Sequence, residues 1–209
     1  EKLEQLQNFE ARKAELLEEL RCAEAKLDAA SHNLSKNRQF YSEKLEKEIV
    51  EELKELNFAD VKFGIAFSKM DHYTKQGFDM IEFQISTNPG EPVKALTKVV
   101  SGGELSRIML AIKTILADKD DTETLIFDEI DTGISGRTAQ KVSEKMAVIG
   151  QHRQVLCITH LPQIAAMADS HYFIRKQTDQ KNTQTMIRKL NESESVSYTH
   201  LRAHETEAD

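Results

Sequence analysis

The stretch TLIFDEIDTGISG, residues 124–136, runs from an apolar tetrapeptide into two adjacent carboxylates, Asp128 and Glu129, and then into a loop holding Gly133 and Gly136. Four apolar-rich positions without polar alternation fit a strand buried in a parallel sheet. Such strands deliver ligand-binding groups at their carboxyl ends, which is where Asp128 falls. A carboxylate there can orient Mg²⁺ or its waters, and a neighbouring carboxylate can take a proton from an attacking water. The plainer alternative is an aspartate that caps a turn beside a surface glutamate. The phosphate loop that often accompanies such a pair, G-x-x-x-x-G-K-[ST], occurs nowhere in the 209 residues.

The pattern continues on both sides of this strand. Downstream, the spacing predicts a helix over 138–149, a second apolar strand QVLCITH (154–160), a helix near LPQIAAMA (161–168) and a strand HYFIRK (171–176). Apolar strands alternating with helices predict an α/β fold whose parallel sheet is covered on both faces. His160, at the end of its strand, reaches the same crevice as Asp128 if the two strands are neighbours; a satisfied histidine at a strand end is the alternative. Upstream, SGGE (Ser101, Gly102, Gly103, Glu104) opens SGGELSRIMLAIKTILA, with Leu105, Ile108, Met109, Ile112 and Leu116 on one helix face. Ser101 and Glu104 have capping-box spacing. Two glycines in a first turn cost roughly 1 kcal/mol each relative to alanine, and they leave the N–H groups of the helix start open to an anion. A cap and a phosphate site stand level on this evidence. Before that helix, VKFGIAFSKM (61–70) and FDMIEFQIST (78–87) alternate with strand periodicity, predicting an antiparallel pair.

Residues 1–56 form a separate region. The first glycine is Gly64 and the first proline Pro89. Leu6, Phe9, Leu16, Leu20, Ala23, Leu27, Ala30, Leu34 and Tyr41 follow a heptad-like spacing that Lys13 and Asn37 interrupt. The pattern predicts a coiled-coil arm, about 80 Å long at ~1.5 Å per residue, cut from a longer coil.

A formal net charge of -7 argues against a free-standing basic nucleic-acid module, which clusters Lys and Arg. Cys22 and Cys157 are too few for a disulfide framework and read as buried or idle thiols. No apolar run approaches the ~18 residues of a membrane span, and no leader opens the chain, so the expectation is a soluble protein with no membrane partner.

Taken in order, SGGE, then LIFDE, then Asp131 in the following loop, then ITH resemble the second half of an ABC-type ATPase head: a signature motif, a Walker B strand, a D-loop and a switch histidine. Glu104 after the glycines, in place of the glutamine usual in transporters, together with the coil points to the SMC-like branch. EFQISTNPGEP, VVSGGELSRIMLAIK, LIFDEIDTGISG and CITHLPQIAAMADSHYFI closely resemble the RecN family of bacterial DNA-repair ATPases, from about Phe58 to Leu190. The resemblance implies a coiled-coil arm (1–56), the C-terminal lobe of the head (57–190) and a tail (191–209) foreign to the family. It also implies ATP and Mg²⁺ as cofactors, and action in double-strand break repair and recombination in the bacterial cytoplasm at the nucleoid. Asp128 would support Mg²⁺, Glu129 would activate water, and His160 would sense the terminal phosphate. Ser101, Gly102, Gly103 and Glu104 would cover a partner's nucleotide, while Asp131 would join the two sites. The implied partners are the N-terminal half of the same head, a second head in a homodimer, and DNA through the full-length protein.

Two departures accompany the resemblance. Without the phosphate loop the chain by itself is expected to be inactive, and Ser135 stands where many ABC proteins end the D-loop with aspartate. In the tail, His200 and His204 share an i, i+4 spacing but lack H-E-x-x-H, and the segment is set aside from the fold. A structural coiled-coil module and a transporter-type ATPase subunit are the alternative functions.

Overall fold

A computed structural model of the chain describes residues 2–99, 101–117, 119, 121–179, 182–191 and 193–196. Helix α1 (Lys2–Glu55) is followed by strands β1 (Lys62–Thr74), β2 (Gly77–Ser86) and β3 (Lys94–Ala95), a 3₁₀ turn (Leu96–Lys98) and helix α2 (Gly102–Ile115). Strand β4 (Thr124–Phe127), helix α3 (Gly136–Gly150), strand β5 (Gln154–Cys157), helix α4 (Pro162–Ala165) and strands β6 (Tyr172–Asp179) and β7 (Asn182–Lys189) complete the order. Among the described residues no helix is long and apolar enough to cross a membrane. The chain divides into two compact units, one holding residues up to Lys47 with Gly64–Gln84, the other Glu48–Phe63 with the residues from Ile85 onward.

In the first unit, α1 has no glycine or proline to break it, and the predicted helix forms. The face it gives to the β1–β2 hairpin is small and polar. Ser31 and Ser35 are buried, and Asp79 of β2 accepts hydrogen bonds from Ser35 Oγ (2.7 Å) and Arg38 Nη1 (2.8 Å). Gly77 turns the hairpin at φ +85°, where an added methyl group would lie 3.4 Å from Leu34. The heptad stripe stays open: Phe9, Leu16, Leu20 and Leu27 are 63, 48, 54 and 44% exposed.

In the second unit, the last turns of α1 enter the core, where Ile49, Leu53 and Leu56 are wholly buried with Ile85, Ile108, Leu110, Ile130, Val142 and Ile149. The helix ends in a left-handed cap: Asn57 has φ 71°, and the Phe58 N–H bonds the Leu53 carbonyl at 3.1 Å.

Strands β4 and β5 pair in parallel, Thr124 opposite Gln154 through Phe127 opposite Cys157, as the apolar runs predict. Coverage differs from the expectation. Phe127 is buried, but Ile126, Leu156 and Ile158 on the alternate face are 67, 45 and 51% exposed. Sequence periodicity reports apolar character on both faces; the helices of this chain cover one.

Helix α3 starts two residues before the predicted position. The strand at HYFIRK forms too, but outside the parallel sheet: β6 pairs antiparallel with β7, Tyr172 opposite Lys189 through Asp179 opposite Asn182. Strand β7 was not predicted, because NTQTMIRK carries no alternation, and its residues 184–189 are all exposed. Of the segment expected to be an irregular tail, residues 193–196 form a helical turn. Asn191 Oδ1 caps it by accepting the Glu194 N–H at 2.9 Å, and Arg188 pairs with Glu194 at 2.8 Å. His200 and His204 lie outside the described residues.

Candidate functional site

The site lies in the second unit and grows from the turn after β4. Asp128 Oδ1 accepts the N–H of Glu129 at 2.9 Å, and Glu129 sits in the left-handed region at φ 56°, uncommon for a residue with a side chain. The turn closes through the Thr132 N–H to the Glu129 carbonyl at 3.0 Å. Both carboxylates are exposed, whereas Ile130 and Asp131 are buried.

Helix α2 packs its first turn directly on this turn. A methyl group at Gly102 would collide with the Glu129 carboxylate, and one at Gly103 would lie 2.8 Å from the Glu129 carbonyl oxygen and 3.0 Å from Thr132 Cβ. Close approach of backbone within the chain thus explains Gly103, which capping leaves unexplained, whereas the contact at Gly102 is with the movable end of an exposed side chain. Half of the predicted capping box forms. Ser101 Oγ accepts the Glu104 N–H at 3.4 Å; the return bond from Ser101 N–H to Glu104 is absent among the described residues.

Two further side chains of α2, neither anticipated from the sequence, bind the turn. Ser106 Oγ donates to the Asp128 carbonyl at 2.7 Å. Arg107, 6% exposed, donates from Nη1 to the carbonyls of Thr132 (2.9 Å) and Ile130 (3.3 Å), with its guanidinium 5.4 Å from the centre of the Phe58 ring. Burial lowers the pKa of Arg107, and the nearby Glu104 opposes that shift. Its Nε has no partner among the described residues. A buried cation held by carbonyls and an aromatic face, with no carboxylate hydrogen-bonded to it, is costly unless it organises its surroundings. Here it fixes the path of residues 130–132. The signal in the sequence was an arginine inside an apolar helix face, between Leu105 and Ile108.

Asp131 joins the two strand ends. Its Oδ2 accepts from Thr159 Oγ1 (2.5 Å) and the His160 N–H (2.7 Å), and lies 3.0 Å from His160 Nδ1. The ladder continues to this point through the Ile158 N–H to the Phe127 carbonyl at 3.0 Å. Asp131 is 3% exposed while the His160 side chain is 64% exposed. With Nδ1 turned to Asp131, Nε2 is the nitrogen left to meet a ligand. Thr159, overlooked in ITH, also accepts the Leu161 N–H at 3.0 Å.

Asp128, Glu129, Asp131, His160, Gly102 and Gly103 are therefore neighbours around one turn, and Ser101 and Glu104 stand at the adjoining helix start. Asp128 fits a role beside Mg²⁺: it is exposed, and only one of its oxygens is engaged. Mg²⁺ typically takes one or two carboxylates and completes its shell with phosphate and water. Among the described residues no group of three or more possible metal ligands occurs. Cys157 is not a reactive group: burial, then Asp131 and Asp128, push its thiol up to about 12. Cys22 is a free, exposed thiol on α1, so of the two readings, buried or idle, burial does not apply to it.

No protein-family model matches the chain. Among curated proteins it is 41% identical over 211 residues to the DNA repair protein RecN of Bacillus subtilis, covering 94% of this chain and 37% of that protein. It is 43% identical over 169 residues to the DNA repair protein RecN of Vibrio cholerae, covering 80% of this chain and 30% of that one. The chain thus spans roughly a third of the length of these relatives. Among solved structures it resembles the Smc head domain with a coiled coil and joint from Pyrococcus yayanosii, with TM-score 0.52, 17% identity, and coverage of 79% of this chain and 30% of that one.

Proposed function

The chain belongs to the RecN family, as a segment of its members' length, and from that premise we propose that it forms the C-terminal lobe of an SMC-like ATPase head with its coiled-coil arm. The head acts in DNA double-strand break repair and recombination, with ATP binding and hydrolysis driving two heads together and apart. Residues 1–56 are the arm and 57–190 the lobe.

The observation that carries this reading is the joining of the two strand ends by Asp131, which sets Asp128, Glu129 and His160 on one rim. On that rim Asp128 supports Mg²⁺, which when bound with ATP supplies charge neutralisation at the phosphates. Glu129, free of hydrogen bonds to other side chains among the described residues, accepts a proton from the attacking water. His160 offers Nε2 to the terminal phosphate. The helix start at Ser101, Gly102, Gly103 and Glu104 serves the nucleotide of a second head. Since the Asp131 carboxylate is engaged inside its own chain, its contribution across the head dimer is indirect, through the turn it fixes.

Two uncovered surfaces suit the proposed partners. The apolar face of Ile126, Leu156 and Ile158 receives the half of the head that carries the phosphate loop, and the stripe of Phe9, Leu16, Leu20 and Leu27 receives the outgoing arm of the coil.

Mixing the chain with the polypeptide bearing the phosphate loop is expected to give Mg²⁺-dependent ATP hydrolysis. In that mixture Glu129→Gln is expected to retain ATP-bound dimers on a sizing column; full turnover by the variant sinks the assignment of Glu129. Dimers that form through the arm regardless of nucleotide, with hydrolysis absent in the mixture, favour a purely structural module instead.

A further inference from the structure

The charge of the chain is unevenly placed. Although the net charge is -7, the second unit has a hollow of about 340 Å³ lined by Lys54, Glu55, Asn57, Arg137, Thr138 and Lys141. Lys54 and Glu55 come from the end of α1, Asn57 from the turn just after it, and Arg137, Thr138 and Lys141 from the first turns of α3. Both elements are held by the core through Ile49, Leu53, Leu56, Ala139 and Val142.

The acids around the hollow are each held by a lysine, two of them by the same one. Glu55 receives Lys145 Nζ at 2.8 Å, which also binds Glu52, and Glu144 receives Lys141 Nζ at 2.9 Å. The hydrogen bonds and charge of these lysines hold the Glu55 and Glu144 carboxyls below their ordinary values. Lys54 and Arg137 have no carboxylate within ion-pair distance among the described residues, so they are the unpaired cations of the patch; because Lys145 serves both Glu52 and Glu55, the patch as a whole is only slightly positive. Beside them stand the amide of Asn57, whose backbone is left-handed, and the hydroxyl of Thr138. Cations combined with neutral donors in one concavity are what a phosphate oxyanion needs.

We propose that the hollow between the end of α1 and the start of α3 binds a backbone phosphate of duplex DNA, with Lys54 and Arg137 as its charged contacts. The choice of DNA over free phosphate rests on the repair function proposed above; the anion chemistry does not.

The test is fluorescence anisotropy of a labelled duplex with the full chain in the absence of nucleotide, from about 50 to 200 mM salt. The Lys54→Gln/Arg137→Gln variant is expected to bind roughly tenfold more weakly at the low-salt end and to lower the salt slope by about one, as loss of one phosphate contact requires, with each single variant falling between it and the unmodified chain. Lys26→Gln/Lys36→Gln, an equal charge change at exposed positions elsewhere on α1, is expected to bind like the unmodified chain. Equal losses in both double variants, unchanged binding in the first, or no binding by the unmodified chain overturns the site. Calorimetric binding of inorganic phosphate that the first variant abolishes, with its DNA affinity unchanged, overturns the DNA assignment in favour of a free anion. Circular dichroism confirms folding, and the single variants keep the test open if the double variant does not fold. Because no nucleotide is present, the outcome is independent of whether the head hydrolyses ATP.

Discussion

Asp79 and Asp131, one in each unit, are buried to nearly the same degree, their side chains 5% and 3% exposed, yet they are held by different means. Asp79 faces a full charge: burial pushes its carboxyl up, but hydrogen bonds from Arg38 and Ser35, with the Arg38 charge, outweigh burial and hold it below the ordinary range. Asp131 faces a hydroxyl, a backbone N–H and a histidine ring. Arg38 is a quarter exposed and can turn its guanidinium to water if the aspartate is lost. The His160 N–H is fixed in the backbone at a strand end, and the half-buried Thr159 hydroxyl sits on a short side chain, so neither donor can swing away as the Arg38 guanidinium can. Burial alone therefore does not rank the two; what matters is whether the partners can find water when abandoned.

The largest expected effect is that of Asp131→Ala, which leaves both donors without their acceptor and costs about 3 kcal/mol in urea unfolding of the second unit. Asp79→Ala is expected to cost less, about 2 kcal/mol, read from hydrogen exchange in the β1–β2 hairpin. A larger loss for Asp79 than for Asp131 breaks the comparison. Thr159→Val removes one of the Asp131 donors and keeps the shape, so a loss of about 1 kcal/mol is expected, with the His160 backbone amide exchanging faster. The smallest effect concerns acid. Because the Asp79 pKa is lowered on folding, its stabilisation is complete above the unfolded value near 3.9 and fades as pH falls through the lower folded value. Near-neutral titration is thus expected to leave the NMR signals of Phe78, beside Asp79 in sequence, unmoved by this group, with changes confined to pH below about 4.

Those parts of the fold that depend on repeated patterning were legible in the sequence. The heptads of α1, the apolar β4 and β5, and the amphipathic α2 each carry a period that local structure must satisfy. In the site, the strand-end position of Asp128 and His160 followed from the same patterning. Three things had no such signal. Strand β7 is exposed along its described side chains, so no alternation marks it. Arg107 stood out only as a charge on an apolar helix face, and its partners did not: it acts through backbone carbonyls 23 and 25 residues away, and a carbonyl leaves no trace in residue identity. Asp131 turns inward because the turn that begins at Glu129 carries it there, and the residue after a carboxylate pair reads equally well as a solvent-facing loop position. The glycine pair was legible as an anomaly in a helix start, though not as the surface on which a neighbouring turn rests.

That resting place changes what descent can say about function. At Gly103 any side chain meets the Glu129 carbonyl and Thr132, so a lineage that had abandoned nucleotides altogether would still be selected to keep glycine there, as long as the lobe itself had to fold. Retention of glycine at 103 across relatives would therefore measure persistence of the fold, and drift at the exposed Asp128, Glu129 and His160 would be the better record of whether catalysis was still under selection.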